Sequence, residues 1–114
     1  MKNIYKFILG LIIVSTICNF THKVYASTPI SPINQVYKEG IYQLNKYDNG
    51  TYELKFQFLN KDKSSSIIVL DQNSDIVYKN INCNRLCNAG NITNQNIIII
   101  ITEGEVALNF SKIQ

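Results

Sequence analysis

The stretch Asn94–Phe110, NQNIIIIITEGEVALNF, decides the fold class. It places five consecutive isoleucines, Ile97–Ile101, near the end of a chain of 114 residues. Five apolar residues fall far short of the roughly 20 needed to cross a bilayer as a helix. Isoleucine is β-branched and favours strands. Glu103-Gly104 then marks a turn, and Val106, Leu108 and Phe110 alternate with polar or small residues. The pattern predicts a β-hairpin with Gly104 in the left-handed region, in which Ile98 and Ile100 share a face with Val106 and Leu108. Ile97, Ile99 and Ile101 point the other way. A strand apolar on both faces belongs at the centre of a sheet with both faces buried, or else it keeps one face for self-assembly.

Upstream of this run the signals are also those of strands. Tyr52, Leu54, Phe56 and Phe58 alternate with Thr51, Glu53, Lys55 and Gln57, a period of two. Asn49-Gly50 precedes them and predicts a two-residue turn, with Tyr47 facing Tyr52 and Lys46 facing Glu53. Continued further, that register puts Leu44 and Tyr42 on the polar side. Either that side is also covered, or Gly40–Leu44 bends away to pair elsewhere. Both outcomes imply a chain wrapped on itself, an antiparallel β-sandwich or jelly roll. Ser66–Asp71 and Asp75–Ile81 predict a second hairpin around the turn formers of Asp71–Asp75. The Asn-rich stretch 82–96 has room for one helical turn ending near Gly90. The sequence contains no long amphipathic helical pattern.

The N-terminus predicts export. Lys2 and Lys6 precede an apolar core over Phe7–Ile17, and Val24-Tyr25-Ala26 supplies small residues before a cleavage point at Ser27. Residues 1–26 therefore have the layout of a secretory signal peptide, whose core is too short for a spanning anchor. A lipid-modified cysteine is disfavoured because Ile17 precedes Cys18 where a small residue belongs. Residues 27–35, with Pro29 and Pro32, read as an extended leader, and 36–114 as a single β domain.

Cleavage removes Lys2, Lys6, Lys23 and the one histidine, His22. The remainder carries seven lysines and one arginine against eight acids, so the whole-chain charge of +3 falls to zero. A neutral chain has no electrostatic reason to seek nucleic acid or an anionic membrane. Without histidine there is no Ser-His or Cys-His pair and no imidazole metal ligand.

Cys83 and Cys87 are the two cysteines that remain, and in an exported chain they predict a short disulfide loop. A redox role is expected to show C-x-x-C, and zinc needs further soft ligands. Asp71-Gln72-Asn73-Ser74-Asp75 opens like a calcium loop, but Ile76 and Asn82 stand where that motif needs Gly and Glu. Glu103 and Glu105 flank a hairpin tip, a solvated position poorly suited to glycosidic hydrolysis. Tyr42, Tyr47 and Tyr52 cluster around the predicted Asn49-Gly50 hairpin and could stack on sugar faces, or simply pack.

YKEGIYQL (37–44), SIIVLDQNSDIVY (66–78) and IIIITEGEVALNF (98–110), in that order after a signal peptide, resemble small exported β-domain proteins of low-GC Gram-positive bacteria. The same segments are loosely similar to jelly-roll domains attached to secreted peptidases. The resemblance implies export and an all-β fold, and carries over no catalytic residue. The expectation is a secreted, non-enzymatic binding module with no cofactor and no metal. Its partner is expected to be an extracellular protein or a cell-surface glycan. The alternative is a structural, self-assembling surface protein.

Overall fold

A computed structural model describes residues 27–113. The predicted signal segment, residues 1–26, lies outside them. Among the described residues nine strands form: β1 (Thr28–Ile30), β2 (Gln35–Tyr37), β3 (Gly40–Leu44), β4 (Tyr52–Phe58), β5 (Ser65–Leu70), β6 (Ile76–Ile81), β7 (Cys87–Ile92), β8 (Ile97–Thr102) and β9 (Val106–Lys112). They make a five-stranded sheet in the order β1-β3-β8-β5-β6 and a four-stranded sheet in the order β2-β9-β4-β7. The expected all-β sandwich is the observed fold.

The pairing has one organising rule. β5 pairs with β6, β4 with β7, β3 with β8 and β2 with β9, all antiparallel, each pair nested inside the next. The chain is in effect one long hairpin, with its tip at Asp71–Asp75, rolled up so that β8 also meets β5 and β9 also meets β4. This is the strand order of a jelly roll. β1 is added at the outer edge of β3, in parallel. Thr28–Ile30 thus forms part of the sheet, with Pro29 on an edge strand where a missing N–H costs no ladder bond.

Nesting overturns two predicted hairpins. β3 and β4 lie in different sheets, so Asn49-Gly50 is not a hairpin turn, and Gly40–Leu44 does bend away, to β8. Gly50 lacks the positive φ that such a turn would need. Its role is steric, since a β-carbon there would lie 2.9 Å from the Tyr52 hydroxyl. β8 and β9 likewise belong to different sheets. Ile98 and Ile100 meet Val106 and Leu108 across the core instead of along a ladder; all four are buried. The hairpin of β5 and β6 stands as predicted. Residues 87–92 are strand rather than helical turn, and Gly90, at φ 89°, lies at the irregularity opposite Leu54 and Lys55.

Gly104 also lacks a positive φ, contrary to the turn predicted for it. It is needed for close approach. The Asn60 side chain crosses directly above it and accepts a hydrogen bond from the Glu105 N–H at 2.8 Å. A β-carbon at 104 would collide with that amide. Gly104→Ala is expected to displace Asn60 and lower stability by about 1–2 kcal/mol, measured by chemical denaturation.

The core is filled from both sheets. Leu54, Phe56 and Phe58 on β4 and Val106 and Leu108 on β9 face Ile67 and Val69 on β5 and Ile98 and Ile100 on β8. Phe56 contacts Tyr78 of the opposite sheet edge-on, with ring centroids 5.9 Å apart. At the end of β8, Thr102 and Ser65 share a buried hydroxyl–hydroxyl bond of 2.7 Å, so neither polar group is left unpaired.

β8 is the central strand of the five-stranded sheet, as its composition predicts. Its two faces are not equivalent. Ile98 and Ile100 are 0% and 1% exposed, Ile97 and Ile99 are half-buried, and Ile101 is 48% exposed. The expectation that both faces are buried is therefore corrected. No element of the described chain covers the outer side of this sheet.

Candidate functional site

That outer side is the most distinctive surface of the molecule. Register fixes its membership. Ile99 is paired with Ile41 of β3 and Ile68 of β5, and Ile68 with Lys79 of β6. Ile97 is paired with Leu70, Ile101 with Ser66, and Ser66 with Ile81. Paired residues share a face. A register shift near Leu70 puts both Ile76 and Val77 against it, and both are exposed, at 61% and 57%. Aliphatic side chains from four adjacent strands thus lie side by side, with Ser66, Gln43 and Lys79 as the polar exceptions.

The other outer face shows the opposite character. On β4 and β9 it carries Glu53, Lys55, Gln57, Asn109 and Ser111, with an ion pair of 3.4 Å between Lys55 and Glu53, and its apolar members are Ala107 and, on the short edge strand β2, Val36. An Ile- and Asn-rich composition could fill surfaces with either residue. It cannot sort isoleucine to one sheet and polar residues to the other.

The predicted tyrosine cluster is taken apart by the fold. Tyr42 lies on β3, half-buried, edge-on to Tyr37 at 5.4 Å, and its hydroxyl donates to Lys38 O at 2.7 Å. Tyr52 lies on β4 in the other sheet, is 8% exposed, and donates to the Asp48 carboxylate at 2.9 Å. Tyr47 alone presents its ring to solvent, with Lys46 Nζ 5.1 Å from the ring centroid. Beside it runs a groove of about 330 Å³ lined by Pro29, Gln43, Leu44 and Lys46. The amides there are already engaged: Gln43 accepts from the Ser27 hydroxyl at 2.8 Å and donates to Asn94 O at 2.7 Å, and Asn94 donates to Lys46 O at 3.0 Å.

Three of these phenols are held above the usual tyrosine value of 10.0. Burial does so for Tyr37 and Tyr42; for Tyr52 the first cause is its hydrogen bond to the Asp48 carboxylate, followed by burial. A phenol whose folded pKa is raised contributes stability that is complete below the ordinary value and is lost as pH climbs through the raised one. An alkaline absorbance titration is expected to show three late-ionising tyrosines whose ionisation accompanies loss of the β signal. Asp48→Asn should return one of them toward the ordinary range.

Cys83 and Cys87 form the expected pair, with their Cα atoms 6.6 Å apart, in the link from β6 to β7. Cys83 O also accepts from Phe58 N at 3.0 Å, which fastens the link to the end of β4. Such a short loop adds less than the about 3 kcal/mol expected of a 15-residue one. The Asp71–Asp75 stretch is turn chemistry. Asp71 Oδ1 accepts from the N–H groups of Asn73 and Asp75 at 2.8 and 3.0 Å, and Ser74 adopts φ 64°. Glu103 lies at the surface, 3.6 Å from Lys63.

The aliphatic face did carry a signal in the sequence. Ile67-Ile68-Val69-Leu70 and Ile97–Ile101 are apolar at both parities, which marks strands with two apolar sides. No family model matches the chain, and neither does any curated protein or solved structure.

Proposed function

We propose that the chain is a secreted, non-catalytic module that works by contact with a protein through the outer face of its five-stranded sheet. The observation that supports this reading is the sorting of side chains between the two outer faces, one polar and one aliphatic. Contiguous exposed aliphatic surface is characteristic of protein contact sites. A glycan needs aromatic platforms and free polar groups; here Tyr47 is a single ring, and the amides nearest it serve the fold.

Binding of the labelled chain to cell envelopes separates the two partners. A protein ligand makes retention sensitive to protease treatment of the envelopes and to Val77→Lys with Ile101→Lys. Retention that survives protease and is abolished by Tyr47→Ala would transfer the reading to a glycan.

A further inference from the structure

We infer that the protein seated on the aliphatic face is a second copy of this chain, packed sheet against sheet about a two-fold axis. The inference rests on the contact reading above and names its partner.

The area of the face supports this first. Ile76, Val77, Ile81 and Ile101 are each about half exposed or more, and Ile41, Ile68, Leu70, Ile97 and Ile99 are partly so. Together they offer roughly 600 Å², so two copies would bury on the order of 1,200 Å², where stable interfaces begin. A monomer that left such a patch in water would stand at the upper limit of what soluble chains expose.

The shape and chemistry of the face fit its own image. A two-fold contact needs a surface complementary to itself. Adjacent strands of β-branched side chains provide this, because two apolar sheet faces interdigitate about 10 Å apart in the same way as the internal layers of a sandwich. Charge offers no resistance. Lys79 is the one ionisable residue among the paired outward positions of β3, β8, β5 and β6, and it lies on β6, the edge strand, where its ammonium can reach water from the rim; Lys46 and Asp71, of opposite charge, stand at the border of the face beside Gln43 and Ile97. Residues 27–114 are neutral overall, so two copies do not repel at long range.

Edge-to-edge pairing is less favourable. β1 and β2 are three residues long, and β6 and β7 each contain a register shift. Short and bulged edges resist adding a strand.

Sedimentation of residues 27–114, which contain all nine strands, tests the inference. The expected result is a monomer–dimer equilibrium at micromolar concentration. Val77→Lys with Ile101→Lys should raise the dissociation constant at least about a hundredfold. Both sites are exposed, so circular dichroism, and the melting temperature measured below the wild-type dissociation constant, should be retained in the variant, which separates lost contact from lost fold. A wild-type chain that stays monomeric to millimolar concentration overturns the second-copy inference. A dimer that survives both lysines overturns it too, since association would then lie elsewhere. Neither result touches envelope retention. If that retention is protease-sensitive and still lost in the double variant, the contact surface stands with a different protein on it.

Discussion

Ile100→Asp should abolish folding, whereas Ile101→Asp, one residue further along the same strand, should change stability by no more than about 1 kcal/mol. Ile100 is 1% exposed and lies between Gly40 and Ile67 in a sheet whose inner face meets the opposite layer. A carboxylate there has no partner and no water, a penalty of at least several kcal/mol. That is comparable with the entire stability of a domain of this size. Ile101 is 48% exposed on the outer side. Circular dichroism and thermal melts of the purified variants check the pair. Equal collapse of both would mean that the outer side is covered within a single chain.

Phe56→Ala should cost about 3–5 kcal/mol. Phe56 is fully buried at the middle of β4, beside Leu108 and Cys87 on its two neighbours. Its ring meets Phe58 at 5.6 Å and reaches across the core to Tyr78 at 5.9 Å. Truncation leaves a cavity between layers that backbone ladders on both sides hold apart, so little collapse can offset it. Equilibrium urea denaturation provides the measurement. A loss under 1 kcal/mol would show that the layers can close over the gap.

Local pattern and long-range pairing were unequally legible in the sequence. The alternation in Tyr52–Phe58 became a strand with the predicted inward set, and Asp71–Asp75 became the turn of a true hairpin. Ile97–Ile101 became the central strand. Pairing partners could not be read, because a turn-forming dipeptide such as Asn49-Gly50 also suits a connection that crosses between layers. Both glycines predicted to supply positive φ, Gly50 and Gly104, prove instead to make room for a neighbouring side chain. Such crowding depends on residues far along the chain, so no local pattern can announce it. The tyrosine cluster failed for the same reason: it assumed that neighbours in sequence remain neighbours on one sheet. The aliphatic face was visible only as two-sided strands until register joined β3, β8, β5 and β6.

The nested pairing has a consequence for how the chain acquires its shape. Asp71–Asp75 closes the shortest loop, and each later pair must close a longer one around it. Loop closure entropy grows outward from the tip, so the order of zipping follows the order of nesting. β2 with β9, which joins residues near the two ends of the sandwich, comes last. Contacts so distant in sequence place the domain among slow folders, and until that outermost pair has formed the isoleucines of β8 lack part of their roof. A chain emerging N-terminus first must therefore wait for β9 before the roll can close, and it crosses that interval with β8, the most apolar of these strands, incompletely covered.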